Sequence, residues 1–165
     1  MDMMQGVHPS QCAGLRKKGG IMTGIYQKII IATDGSEKNL SALIEGLMIA
    51  RVSGAKIQII YVIDTKPLTT GVIEESYAGM YESLREEGTQ ALEQAKELAG
   101  DLDVETCLLT GKPANEITRF VKEHGADLLV IGTQGKTGLG KLILGSVAES
   151  IIRTAPCSVL VVRKS

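Results

Sequence analysis

A chain of 165 residues, 44% apolar and 22% charged, is long enough for one domain with a full hydrophobic core. A net charge of −1, a single Phe and no Trp argue against a cationic or base-stacking surface for nucleic acid. Three cysteines without zinc or redox spacing predict a reducing, cytoplasmic compartment, and the apolar runs are too short to predict a membrane span.

The first 24 residues lack the periodicity of the rest of the chain. They carry scattered Gly, Lys, Arg and His, without the long apolar core of a signal peptide. A second methionine, Met22, stands just before the first patterned segment. We therefore expect residues 1–24 to be a flexible tail, a vector remnant or a mis-assigned start, and residues 25–165 to form the domain.

The first patterned segment predicts a strand followed by a helix. Tyr26–Thr33 is a short apolar run of the kind that is buried on both faces of a sheet. Ser36 is the expected N-cap of a helix over Glu37–Val52, and Gly54 is its expected C′ residue. Helical spacing predicts an inner face made of Leu40, Leu43, Ile44, Leu47 and Met48.

A second strand and a second helix follow. Lys56–Ile63 is strand-like, and Asp64–Ala78 has no firm period, so we expect an irregular excursion with a short helical turn near its end. Gly79–Ala99 predicts a charged amphipathic helix that ends at Gly100. Its expected inner residues are Leu84, Ala91, Leu92, Ala95 and Leu98.

The C-terminal half continues the alternation of strands and helices. Asp103–Thr110 predicts the third strand, and a short helix after Pro113 has the apolar face Ile117, Phe120 and Val121. Ala126–Thr133 is the most apolar strand, and a glycine-rich loop leads from it to a helix over Ser146–Arg153. Cys157–Arg163 predicts the last strand.

This alternation predicts an α/β fold with right-handed crossovers. We expect a Rossmann-like, open, doubly wound, five-stranded parallel sheet in the order 3-2-1-4-5, with helices on both faces. Such sheets bind ligands beyond the carboxyl ends of their strands, where the strand order reverses. At that point Thr33–Ser36 meets Gly132–Ser146.

The second of these loops has the composition of an anion-binding loop. Its glycines allow backbone N–H groups to approach an anion, and Gly145 and Ser146 lie at the start of a helix whose free N–H groups favour negative charge. Lys136 and Lys141 add positive charge. The P-loop pattern fails, because Leu142 stands where a hydroxyl residue would hold Mg²⁺.

The pattern that does hold is Gly132-x-x-Gly135, nine residues, then Gly145-Ser146. Together with the Asp34 turn and "YVID" at Tyr61–Asp64, it resembles the ATP-binding branch of the universal stress protein family over Tyr26–Arg163. The resemblance implies bound ATP or AMP with Mg²⁺. It places Ala32, Thr33 and Asp34 at the adenine and ribose, Ile57 at the adenine, Ile131 and Gly132 at the ribose, and Gly135, Gly145, Ser146 and Val147 at the phosphates.

The resemblance also implies a homodimer that pairs its last strands at Ser158–Val162 and acts with an unknown protein partner. Two residues depart from the family's usual pattern. Ala148 stands where relatives can carry a hydroxyl, which removes one phosphate contact, and Gly35 replaces a side chain, which is expected to matter little.

Structural interpretations of the same residues remain open. Asp34 can be a turn or capping residue, and Gly132 and Gly135 can simply allow a tight exit from a strand. Ser146 can be an N-cap, which is compatible with binding phosphate. Lys136 is nearly as well explained as a solvated lysine, and the same holds for Lys141.

Three functions fit the sequence. The first is a nucleotide-dependent regulatory dimer in a stress response, in which the nucleotide orders the loops Asp64–Ala78 and Gly132–Gly145. The second is a slow ATPase or an adenylate-transferring enzyme, although no carboxylate lies within the phosphate loop to orient a nucleophile. The third is a scaffold that binds no nucleotide. We predict no catalytic residue and no metal ligand from the protein.

Overall fold

The computed structural model describes residues 17–18, 21–22, 24–66, 74–135 and 144–163. Lys17–Lys18 pairs with Ile21–Met22 as a short antiparallel ladder. The sheet has five strands: β1 Lys28–Thr33, β2 Lys56–Asp64, β3 Val104–Gly111, β4 Leu128–Gly132 and β5 Ser158–Val162. Within the described residues, four helices accompany it: α1 Leu40–Ser53, α2 Glu74–Ala99, α3 Pro113–His124 and α4 Ser146–Thr154.

The five strands form one parallel sheet in the order β3-β2-β1-β4-β5. This is the predicted order 3-2-1-4-5, and it is confirmed. Helices α1 and α2 pack on one face and α3 and α4 on the other, so the sheet is doubly wound as expected. The order reverses at β1, which has β2 on one side and β4 on the other.

The continuous apolar run of β1 explains why this strand is central. Its residues after Lys28 are all buried, because both faces of the sheet are covered there. Successive side chains point to opposite faces. Ile29 and Ile31 accordingly join the core under α1 and α2, while Ile30 and Ala32 join the core under α3 and α4.

Helix α1 begins later than the sequence predicts. The N-cap residue is Asn39, not Ser36, so that prediction is wrong. Residues 36–39 form a turn instead of helix: the Asn39 N–H donates to the Ser36 carbonyl oxygen at 3.0 Å, and the Ser36 hydroxyl and backbone N–H donate to Oδ1 of Asp34 at 2.7 and 3.0 Å. The end of the helix is as predicted, because Gly54 adopts the left-handed conformation with φ 67°.

The buried face of α1 is also rotated from the predicted one. Leu40, Ile44 and Met48 are 38%, 44% and 59% exposed, whereas Leu43 and Leu47 are buried as expected. Small residues face the sheet and allow the helix to approach it closely. The buried residues of α1 are Ala42, Leu43, Gly46, Leu47 and Ala50.

A substitution at Gly46 tests how closely α1 packs against the sheet. A Cβ atom at Gly46 would lie 2.7 Å from Cδ1 of the fully buried Ile31, so a Gly46→Val variant overpacks the core. We expect the variant to lose about 1–3 kcal/mol of unfolding free energy, measured by urea denaturation. Gly79→Val is the matched control, because a Cβ atom at this helical glycine meets nothing within 4 Å. Equal losses in the two variants would contradict the packing argument.

Helix α2 is longer than predicted. It begins at Glu74, five residues before the expected start at Gly79, and residues 67–73 of the expected excursion lie outside the described residues. Ala91, Leu92 and Ala95 are buried as predicted, but Leu98 is 53% exposed and that prediction is wrong. Within the described residues, no helix is both long and apolar enough to cross a bilayer.

Candidate functional site

A cleft of about 590 Å³ opens at the carboxyl edge of the sheet. The carboxyl ends of β1, β2 and β4 form its floor, and the first turns of α3 and α4 form part of its walls. Its volume falls within the range of about 300–1,000 Å³ that is typical of small-molecule sites. The cleft therefore lies at the switch point of the sheet, where the topology predicts a ligand.

Most of the predicted site residues meet in this cleft. The two loops expected there, which follow β1 and β4, both contribute to its lining. Lys136 and Lys141 lie outside the described residues. The predicted residues that line the cleft are Ala32, Thr33, Asp34, Ile131, Gly132, Gly135, Gly145, Ser146 and Val147.

The structure does not bring Ile57 to the cleft. Ile57 is the second residue of the nine-residue strand β2, is 3% exposed, and pairs with Ile29 and Val104. It packs in the core under α1 and α2, at the amino end of a parallel strand. The ligand edge is the carboxyl end, so the stretch Ile60–Asp64 lines the cleft in its place.

Val62 is one of the residues that sequence reasoning missed. It is half-buried on the same side of the sheet as Ala32 and Ile131, with which it lines the cleft. The "YVID" motif carried the necessary signal, because its position at the end of β2 places Val62 beside the switch point. These three side chains give the cleft an apolar wall.

The turn after β1 presents a carboxylate that is only half satisfied. Oδ1 of Asp34 accepts both hydrogen bonds from Ser36, whereas Oδ2 is buried and has no hydrogen-bond partner among the residues that the structure describes. A Cβ atom at Gly135 would lie 3.2 Å from this Oδ2, so the glycine lets the loop after β4 lie against the carboxylate. A buried acceptor without a partner is uncommon and points to a donor from a ligand or water.

Gly35 matters more than the sequence indicates. Its φ of 72° is in the left-handed region, and a Cβ atom there would lie 2.8 Å from Cβ of Ala91 in α2. The expectation that the missing side chain has little consequence is therefore wrong. The glycine allows the turn to place Asp34 in the cleft while α2 packs beside it.

Asn39 is a second residue that the sequence did not single out. It is only 6% exposed, lines the cleft, and has a buried carboxamide oxygen that finds no hydrogen-bond partner in the described part of the chain. A Cβ atom at Gly132 would lie 2.8 Å from its Nδ2, so this glycine also makes room for a polar side chain. Only the tertiary structure joins these two residues, which are far apart in the chain.

The N-terminus of α4 forms another part of the cleft lining. Gly145 occupies the N-cap position with φ −64° and ψ 152°, and Ser146 is the first helical residue rather than the cap. The Gly145 N–H donates to the Thr133 carbonyl oxygen at 2.8 Å, which holds the start of the helix against the loop. The first N–H groups of a helix have no partner within it and favour an anion.

The cleft is electrostatically polarised. The charged residues among its described lining are all acidic: Asp34 follows β1, Asp64 is the last residue of β2, and Glu87 lies on α2. The helix dipole makes the α4 end electropositive. Within the described ranges, no three His, Cys, Asp or Glu side chains gather as a metal site.

The two cysteines of the described residues lie outside this cleft. Cys107 lies within β3 and Cys157 immediately precedes β5; both are half-buried, and burial raises the pKa of both thiols. A raised thiol pKa lowers the thiolate fraction at neutral pH. Both cysteines therefore act as packing side chains and are not suited to be nucleophiles.

Comparisons with known proteins agree with this architecture. Residues 25–163 match the universal stress protein family. Universal stress protein MJ0531 of Methanocaldococcus jannaschii is 44% identical over 142 residues, covering 85% of this chain and 84% of the relative. Universal stress protein YxiE of Bacillus subtilis is 33% identical over 148 residues, covering 84% of this chain and all of the relative.

Solved structures give the same result. Hypothetical protein MJ0577 superposes with a TM-score of 0.74 and 31% identity, covering 85% of this chain and 97% of that one. A universal stress protein in complex with cAMP superposes with a TM-score of 0.65 and 27% identity, covering 85% and 99%. By the match over nearly all of its patterned sequence and by its sheet order, the chain belongs to the universal stress protein family.

Proposed function

We propose that this chain binds an adenine nucleotide, ATP or AMP, in the cleft at the switch point. The observation that carries the proposal is that one cleft brings together a buried Asp34 oxygen, which has no hydrogen-bond partner among the described residues, and the N-terminus of α4. A nucleotide has the matching polarity, with donor groups on its nucleoside and negative charge on its phosphates. The relative solved with cAMP supports the same ligand class.

The nucleoside belongs at the Asp34 end. Oδ2 of Asp34 can accept a hydrogen bond from a ribose hydroxyl or a base amine once the loop at Gly135 moves aside. The apolar wall of Ala32, Val62 and Ile131 suits the face of a purine. The Asp34 carboxylate follows β1, and the apolar wall lies at the carboxyl ends of β1, β2 and β4, where the sheet holds these residues in place.

The phosphates belong at the α4 end. The free N–H groups of Ser146 and Val147 supply donors, the Ser146 hydroxyl adds another, and we assign Lys136 as a counter-charge. Mg²⁺ would take most of its ligands from phosphate oxygens and water, as it does in many nucleotide sites. Ala148 is 4% exposed in the cleft wall and offers no hydroxyl there.

Calorimetric titration with ATP and Mg²⁺ tests the proposal. We expect saturable binding by the unmodified protein and at least a tenfold loss in Gly135→Leu and Gly145→Leu, because these side chains would enter the cleft beside Asp34 and Thr133. Lys122→Leu is the control, since Lys122 is exposed in the last turn of α3, away from the cleft lining. No binding by the unmodified protein, after co-purified nucleotide is excluded, would favour a scaffold without nucleotide.

We further propose that the chain acts in the cytoplasm as a regulatory homodimer that pairs β5 strands over Ser158–Val162. Among the described residues β5 pairs only with β4, so its outer edge offers free backbone groups. The strand carries no Lys, Pro or other feature that protects exposed edges. Sedimentation equilibrium at micromolar concentration should detect dimers, and a monomer at all concentrations would exclude this assembly.

A further inference from the structure

The backbone of Thr133 joins the edge strand to the candidate phosphate site. Its N–H donates to the Val162 carbonyl oxygen at 3.0 Å, and its own carbonyl accepts the Gly145 N–H at 2.8 Å. Val162 is the last residue of β5, and Gly145 is the N-cap position of α4. One peptide segment therefore connects the end of the edge strand to the start of the helix that faces the cleft.

In a β-strand, the backbone N–H and C=O groups of successive residues point to opposite edges, and this alternation determines which groups of β5 are available to a partner strand. Val162 faces β4, because its carbonyl accepts the hydrogen bond from Thr133. The backbone groups of Val159 and Val161 then point to the outer edge of the sheet, since successive residues of a strand face opposite sides. A second strand paired at that edge would hold Val161, the immediate neighbour of Val162, on its other side.

We propose that nucleotide binding in the cleft and pairing of β5 with a second copy of this chain strengthen each other through Thr133. The inference rests on the proposed function, because it needs both events. Thr133 is a positioning residue here: it orients the Gly145 N–H and the first turn of α4 without itself supplying a catalytic group.

The physical basis is that both events order the same element. Strand ends and helix starts open more readily than the core, and Ser146 and Val147 begin α4 next to the cleft. A partner strand that holds Val161 and Val162 also holds Thr133, so a phosphate group then meets donors already in place. The second event costs less ordering than the first, which gives positive cooperativity.

Thermodynamic reciprocity between the two binding events sets the expected size of their coupling. If pairing increases the affinity for ATP by a factor, ATP must increase the affinity of pairing by the same factor. Couplings between sites are typically about 5- to 150-fold. We therefore expect the dimer dissociation constant of the unmodified protein to fall at least about fivefold when ATP is saturating.

The test uses a matched pair of edge variants. Val161→Pro removes an outward N–H, at a strand position where proline is tolerated because the group faces solvent. Val161→Ala removes similar side-chain packing but keeps the N–H. We expect Val161→Pro to be monomeric and to bind ATP at least about fivefold more weakly than Val161→Ala, measured by calorimetry at a concentration where the alanine variant is dimeric.

The outcomes separate this coupling from the proposed function. ATP binding and dimer formation that each occur without affecting the other would overturn the coupling alone. A protein that binds no ATP, or that never dimerises, would overturn the corresponding part of the proposed function and the coupling with it. If Val161→Pro does not fold, judged by its thermal melt, sedimentation of the unmodified protein with and without ATP decides the question.

Discussion

Replacing Ile59 by alanine will lower the free energy of unfolding by about 2–5 kcal/mol. Ile59 is fully buried in the middle of β2, where it pairs with Ile31 on β1 and Thr106 on β3. Its side chain belongs to the core under α1 and α2. Truncation removes apolar contacts and leaves a cavity that the rigid sheet cannot close. Urea denaturation followed by circular dichroism measures the loss.

Two control variants make the test of Ile59 specific. Ile59→Val keeps most of the volume and should cost only about 0.5–1.5 kcal/mol. Ile152→Ala truncates an isoleucine that is 50% exposed on α4 and should change stability by less than about 0.5 kcal/mol. A loss in Ile59→Ala no larger than that in Ile152→Ala would contradict the assigned core.

Replacing Asp34 by alanine will weaken ATP binding by about 10- to 100-fold, because a hydrogen bond to a charged group contributes about 1.5–3 kcal/mol. Oδ2 of Asp34 is the buried acceptor without a partner, next to Gly135. The same change removes the acceptor for both hydrogen bonds of Ser36, so it will also loosen the turn. Calorimetry measures the affinity, and thermal melting measures the turn's contribution to stability.

Asp34→Asn separates these two roles. Asparagine keeps an acceptor at the Oδ1 position for Ser36 but can place an NH₂ group where Oδ2 stands. We expect this variant to melt like the unmodified protein and to bind ATP nearly as weakly as Asp34→Ala. Full ATP affinity in Asp34→Asn would show that Asp34 is a turn residue only, the structural interpretation that its sequence context also allows.

Much of the fold was predictable because its strands and helices have strong, separate periods. The run after Lys28 predicts a strand buried on both faces, and the structure places it at the centre of the sheet. Ile117, Phe120 and Val121 predict the buried face of α3, which the structure confirms. Pro113 and Gly125 bound that helix by local chemistry that needs no tertiary contact.

The mistaken predictions share a different cause. Ser36 has the chemistry of an N-cap, but in the folded protein it belongs to a turn with Asp34, and the helix begins only after Asn39. Leu40, Ile44 and Met48 have helical spacing, but the sheet packs against the neighbouring face, which contains Gly46. The local sequence pattern is compatible with either arrangement, and the contacts with the rest of the fold determine which one forms.

The sequence by itself determined the order of strands and helices, the glycines at the switch point and the family to which the chain belongs. The tertiary structure alone decided which end of β2 reaches the cleft, which excluded Ile57 and introduced Val62. It alone brought Asn39 against Gly132 and joined Val162 to Gly145 through Thr133. The physical reason is that periodicity and turn chemistry act over a few residues, whereas strand register and helix docking bring distant residues together.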